Sequence, residues 1–203
     1  MTSETEPDRV QLDLPAVPTG ELTLEKVGQA LTALIPENAI ICNESVTSGL
    51  KIVPPTGSAR PHDFLGGTGG AIGIGLPLAT GAATACPDRK VIALTGDGSA
   101  MYTVQSLWTM AREEMDVTVI VFANRGYQIL RNELKNVGVE SFGRNVQAMF
   151  DVENPVLDWV SLARGHGVPG ARVEDMEAFV GALTAGLASD GPSLIEVVCP
   201  MPA

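Results

Sequence analysis

The chain has 203 residues, of which 45% are hydrophobic, 18% charged and 4% aromatic, which is enough apolar material for one sizeable core and excludes wholesale disorder. A formal net charge of -11 argues against a nucleic-acid backbone or an anionic membrane as the main partner, while leaving open phosphate held by backbone N–H groups or a metal ion. Three widely spaced cysteines (Cys42, Cys86 and Cys199) and no CxxC fit a reducing cytoplasm rather than a disulfide scaffold, and no apolar run is long enough for a transmembrane helix.

Residues 1–20 mix charges with three prolines and read as a flexible tail or a severed linker, leaving 21–203 as one domain. Thr23 is placed as the N-cap of a helix carrying Leu24, Val27, Leu31, Leu34 and Ile35 at helical spacing, ended by Pro36. Residues 39–42 (AIIC) have strand length. A loop with Pro54, Pro55, Gly57 and Pro61 leads into the glycine-rich stretch 66–85, which from Gly73 onward suits a buried helix. Residues 90–95 (KVIALT) read as a strand. Residues 99–115 read as one helix with Met101, Val104, Leu107, Trp108 and Ala111 on one side, Met101 and Trp108 being assigned to core or subunit interface. Residues 117–123 (VTVIVFA) are apolar on both faces, the mark of a central parallel strand. Helices are expected over 127–137, over 156–166 with Asp158 in the first turn, and over 173–188, and a last strand over 193–198. Strands alternating with helices predict an α/β fold, a doubly wound, mostly parallel sheet with helices on both faces.

The sharpest local feature is Thr95-Gly96-Asp97-Gly98-Ser99, where a buried strand hands over to a helix. Ligands of open α/β sheets collect at such carboxyl ends. The two glycines allow a sharp turn and close backbone approach. Ser99 and the first N–H groups of the helix can meet an anion. A carboxylate beside phosphate repels it unless a cation lies between them, and hard oxygen ligands suggest Mg2+. The next strand ends at Asn124, followed by Arg125-Gly126-Tyr127, so Asp97 and Asn124 emerge at neighbouring strand ends. Asp97, Asn124 and the carbonyl of Gly126 could then hold the cation. The same string also serves as a plain tight turn with an Asp cap.

Gly96-Asp97-Gly98-Ser99 followed about 25 residues later by Asn124 resembles the signature of thiamine-diphosphate enzymes. Further segments resemble the diphosphate-binding domain of the acetolactate synthase and benzoylformate decarboxylase family: Asn43-Glu44-Ser45-Val46-Thr47-Ser48, Gly69-Gly70-Ala71-Ile72-Gly73, Gly75-Leu76-Pro77, Pro87-Asp88-Arg89 and Ala100-Met101-Tyr102. The closest likeness is to acetolactate-synthase-like large subunits. The resemblance implies thiamine diphosphate and Mg2+ as cofactors and a 2-oxo acid such as pyruvate as substrate. It implies that Asp97, Asn124 and Gly126 hold the metal, and that Gly96, Gly98, Ser99 and Ala100 approach the diphosphate, with Val46 and Thr47 reaching it from the other side. The Gly70 carbonyl would accept a hydrogen bond from the pyrimidine amine, and Ile72 would wedge the cofactor into its bent form. Tyr127 and Leu130 would line the route to substrate.

Two departures accompany this resemblance. The family often carries Asn-Asn where Ala123-Asn124 stands here. It also takes a catalytic Glu from a pyrimidine-binding domain, usually on a partner subunit, and this chain carries no such domain. Glu44 is no evident substitute, lying in the segment expected to face the diphosphate. A homo-oligomer or a partner chain with that domain is therefore expected, and the chain alone is expected to be inactive. A separately made subunit and a non-catalytic cofactor-binding module are the alternatives. His62 and His166 show no zinc-ligand spacing; His62 reads as a loop residue, and Arg125 and Arg131 read equally as anion-steering or plain surface.

Overall fold

In the computed structural model, which describes residues 12, 14–139 and 141–199, six parallel strands form one sheet. They are β1 (Ile40–Glu44), β2 (Asp63–Gly66), β3 (Val91–Gly96), β4 (Val117–Ala123), β5 (Gly170–Val173) and β6 (Ser193–Val198), in the order β2-β1-β3-β4-β6-β5. The parallel α/β sheet expected from the alternating pattern is observed, with every pairing parallel. Period-two alternation feeds two cores. Ile41, Ile92, Leu94, Ile120 and Phe122 face α1 (Leu24–Leu34), α2 (Val46–Thr56) and α9 (Met176–Leu187). Cys42, Ala93, Val117, Val119 and Val121 face α3 (Gly75–Ala85), α5 (Ser106–Arg112) and α8 (Trp159–Gly165). All seven residues of β4 are buried, as a central strand covered on both faces must be.

Several expected boundaries shift, each for a physical reason. The helix expected over 99–115 begins at Asp97 and runs as α4 (Asp97–Ala100), a 3-10 turn (Met101–Thr103) and α5. Its junction residues Ala100, Met101, Val104 and Gln105 keep right-handed helical angles, so the path is continuous and only tightens in the middle. There Thr103 Oγ1 donates to the Gly73 carbonyl (2.7 Å). The helix ends early, because Glu114 adopts φ +49° and Met115 N–H closes onto the Met110 carbonyl (3.0 Å). Trp108 is 52% exposed on the surface, not in the core. The Arg112 guanidinium lies 5.4 Å from its ring centre. Met101 is likewise exposed.

Pro54 and Pro55, expected in a loop, are the last turn of α2. Proline's fixed φ suits a helix, and the carbonyls of Leu50 and Lys51 that lose its missing donor belong to exposed residues. Asp158 is the N-cap of α8 rather than a first-turn residue, accepting from Ser161 N (2.9 Å). Likewise Asp175 caps α9 and leaves residue 173 to β5. The remaining helices are α6 (Gln128–Asn136) and α7 (Arg144–Phe150). Of the expected tail, residues 1–11 and 13 lie outside the described residues. Its end is tied down: Gly20 N donates to Glu177 Oε1 (2.8 Å) and the Gly20 carbonyl accepts from Met176 N (3.0 Å). Among the described residues no helix is long and apolar enough to cross a membrane.

Candidate functional site

The chain leaves β1 for the outer strand β2 and then returns to β3 on the other side of β1, so the strand order reverses between β1 and β3. Such a reversal opens a crevice at the carboxyl ends of the strands. A cavity of about 400 Å³ occupies it. Register places Glu44 beside Thr95 and Gly96 beside Phe122, so the segments following β1, β3 and β4 emerge side by side.

Asp97 sits at the floor, 3% exposed. Its Oδ1 accepts from Gly98 N (2.8 Å) and its Oδ2 from Arg125 N (2.7 Å), so one carboxylate ties the ends of β3 and β4. Burial pushes this carboxyl above the ordinary aspartate range, and the Arg125 and Gly98 N–H groups pull it part of the way back. Arg125 adopts φ +59°, which turns the chain so that its N–H faces Asp97. Asn124 Oδ1 accepts from Gly126 N (3.1 Å), and the Gly126 carbonyl accepts from Gln128 N (3.0 Å). A Cβ on Gly98 would lie 2.6 Å from Tyr127 Cε1, so the tyrosine ring packs directly on its backbone.

The opposite wall is the start of α2. Ser45, its N-cap, makes no capping bond, and Asn43 Oδ1 accepts from both Ser45 N (3.1 Å) and Ser45 Oγ (2.5 Å). Val46 holds φ +40°, a left-handed conformation that a β-branched residue rarely adopts. The third wall is the turn before α3, with Gly69, Gly70 and Gly73 at φ +66°, +65° and +83°. Glu44 anchors it. Its carboxylate accepts from Gly73 N, Ile74 N (3.1 Å) and Gly75 N (2.7 Å).

Of the residues singled out by sequence, the structure brings Val46 and Thr47, Gly70 and Ile72, Gly96 through Ser99, and Asn124, Gly126 and Tyr127 to this one cavity. Ala100 is placed beneath it, fully buried in the core against α3 and α5, and Leu130 sits on α6 outside the lining. His62 is also outside, its Nδ1 2.8 Å from the Arg60 carbonyl. Sequence reasoning passed over Gln128 and Ile129, and it placed Glu44 in the segment facing the diphosphate without seeing the wall it anchors. The signal for Glu44 was non-local: Gly73 and Gly75 lie 29 and 31 residues further on, and only the β1–β3 reversal brings them to it.

The profile of a family described as "Thiamine pyrophosphate enzyme, C-terminal TPP binding domain" matches residues 53–197. A Mycobacterium tuberculosis protein, IlvX, whose name makes it a candidate acetolactate synthase large subunit, is 48% identical over 187 residues, covering 92% of this chain and 36% of its own length. A benzoylformate decarboxylase of Pseudomonas aeruginosa is 35% identical over 178 residues, covering 88% of this chain and 32% of its own. Among solved structures, the Rhodococcus jostii RHA1 thiamine diphosphate-dependent 4-hydroxybenzoylformate decarboxylase superposes with a TM-score of 0.78 at 32% identity, over 99% of this chain and 37% of that one. The chain thus spans about a third of the length of these relatives.

Proposed function

The chain belongs to the thiamine pyrophosphate enzyme family, as its C-terminal TPP-binding domain, and from that premise we propose that it forms the diphosphate-and-Mg2+ end of an acetolactate-synthase-like carboligase or decarboxylase acting on 2-oxo acids. The observation that carries this reading is Asp97, a buried carboxylate bridging two strand ends at the reversal point of the sheet. The donor set fits a small hard cation. Asp97 Oδ1 and Oδ2, Asn124 Oδ1 and the Gly126 carbonyl each accept one backbone N–H, which fixes their orientation and leaves a further lone pair. No cluster of three acidic, His or Cys ligands exists among the described residues, so a mixed carboxylate, amide and carbonyl set is what the fold offers.

When bound, thiamine diphosphate supplies the nucleophilic carbon and electron sink for cleavage beside the carbonyl of a 2-oxo acid. The chain's own residues bind and orient. Asp97, Asn124 and Gly126 would present oxygens to Mg2+, and the first-turn N–H groups of Val46, Thr47 and Ser99 would meet phosphate oxygens; Gly98, whose N–H is taken by Asp97 Oδ1, would contribute close backbone approach, and Ala100 supports the turn from beneath. The Gly70 carbonyl and the Ile72 side chain, 54% exposed at the cavity, are assigned to the pyrimidine end. Glu44 is not the acid that completes the chemistry, since its carboxylate is occupied by three amide donors. That acid is assigned to a pyrimidine-binding domain, in a homo-oligomer or on a partner chain. Free Cys42, Cys86 and Cys199 support a cytoplasmic setting.

Calorimetric titration of the chain with thiamine diphosphate, with and without Mg2+, tests this reading. Binding is expected to require Mg2+, and Asp97→Ala is expected to remove the metal-dependent part; equal binding by the variant would overturn the assignment. The purified chain is expected to consume no pyruvate, and measurable turnover would refute the split-site reading.

A further inference from the structure

We propose that Glu44 is a positioning residue that sets the separation of the two walls of the cavity, the phosphate-facing wall at Val46 and Thr47 and the ring-facing wall at Gly70 and Ile72. The proposal rests on the cofactor reading above and goes beyond it in assigning the residue that fixes the cofactor's shape. Glu44 ends β1 and is 8% exposed, one residue before the turn into α2. Its carboxylate reaches across the crevice to three consecutive amides: Gly73 N, Ile74 N (3.1 Å) and Gly75 N (2.7 Å). Those amides open α3, whose N-cap Ile74 has no capping side chain, so Glu44 takes the place of a cap from another strand. Ile72 is one residue and Gly70 three residues before the first clamped amide.

The neighbourhood is shaped around this carboxylate. A Cβ on Gly75 would lie 2.7 Å from Glu44 Oε2 and 3.0 Å from Glu44 Cβ, so any larger residue there would push the carboxylate aside. A Cβ on Gly73, at φ +83°, would lie 2.6 Å from Tyr102 Cβ, and the Gly73 carbonyl accepts from Thr103 Oγ1 (2.7 Å). The turn is thus pinned from both sides at Gly73, while a Cβ at Gly69 or Gly70 would meet nothing within 4 Å. Gly70 and Ile72 take their place in the cavity from a segment held between β2, where Gly66 pairs with Asn43, and this clamp at the start of α3. Shifting the clamp shifts the ring-facing wall and leaves the phosphate-facing wall on β1 and α2.

Two ligands separate positioning from mere support. Inorganic diphosphate with Mg2+ touches only the phosphate-facing wall; thiamine diphosphate with Mg2+ spans both. Titrations of the full chain compare wild type, Glu44→Gln, Glu44→Asp and Gly75→Ala. Gln keeps the length but turns an NH2 toward one of the three amide donors; Asp keeps the charge but withdraws it; Gly75→Ala disturbs the same contact from the α3 side while introducing a better helix former. Each variant is expected to bind diphosphate as wild type does and thiamine diphosphate about tenfold more weakly, the loss of one charge-assisted hydrogen bond. Amide hydrogen exchange at Gly73, Ile74 and Gly75 is expected to quicken in the same variants. Equal losses for both ligands would make Glu44 a strut of the fold and overturn the proposal, as would unchanged thiamine diphosphate affinity. A wild-type chain that gains nothing from the ring over inorganic diphosphate would also overturn it. A wild-type chain that binds neither ligand with Mg2+ would overturn the cofactor reading instead.

Discussion

Two residues of the cavity, Val46 and Asp97, hold conformations or charges that the fold by itself would not choose. Val46 at φ +40° is the clearer case. A β-branched residue in the left-handed region costs about 1–3 kcal/mol and persists where function over-determines it. Here it lets β1 turn at once into α2, so the first N–H groups of that helix face the cavity. Val46→Gly is expected to raise the denaturant midpoint of the unliganded chain, because the relieved strain exceeds the roughly 0.5–1 kcal/mol of backbone freedom that glycine loses on folding. A lowered midpoint in urea would show that Val46 is unstrained. At this scale the site was largely legible in the sequence. Asp97, Asn124 and the glycines beside them, Gly96, Gly98 and Gly126, are close in sequence to the strand ends that present them, so their spacing carried the information. Glu44 was not legible, because its partners lie on another crossover and its role is a contact rather than a motif.

The elements divide in the same way. The buried strands β1, β3, β4 and β6 carry short apolar runs that were readable in the sequence, although β1 ends in Asn43-Glu44 and β6 carries Glu196. The two strands that escaped reading are the edges, β2 and β5, each four residues long and mostly exposed, so no buried periodicity marks them. The short helix α7 buries none of its residues and is held by contacts such as the edge-on packing of Phe142 on Phe150, with ring centres 6.2 Å apart. Helix α2 was hidden behind its two prolines. Its position against α1 depends on Gly28, where a Cβ would lie 2.7 Å from the Ile52 carbonyl oxygen and 3.1 Å from Ile52 Cα. Both are backbone atoms that cannot rotate aside. Gly28→Ala is expected to lower stability in urea by about 1–3 kcal/mol despite alanine's better helix propensity, since overpacking outweighs it. A stabilised variant would mean that α1 and α2 can separate freely. α2 also forms the phosphate-facing wall, so the same substitution is expected to weaken diphosphate binding.

For the molecule as a whole, the dependence of stability on pH follows from where its carboxylates are buried. The chain carries a formal net charge of -11, and most acids among the described residues lie at the surface. Glu196 on β6 is an exception, 1% exposed, with Oε2 lacking a hydrogen-bond partner among the described residues. Burial raises its carboxyl above the ordinary 4.5, Arg172 opposes this, and Asp158 adds to it. A carboxyl raised in the folded state binds its proton more tightly there than in the unfolded chain. Its contribution is therefore fully present below 4.5 and is lost as pH climbs through the raised value. Asp158 runs the other way: hydrogen bonds from Ser161 hold it low, so its contribution fades only as pH falls below the ordinary 3.8. Cys42 and Cys199, pushed up to about 12 by burial, stay protonated throughout and add no slope. Wild type is thus expected to lose stability relative to Glu196→Gln as pH climbs from 4.5 through the raised value, where the variant has nothing to titrate at this position. Urea midpoints measured across that range check it. Parallel curves for the two proteins would mean that Glu196 meets water or a cation in solution and that its burial carries no electrostatic cost.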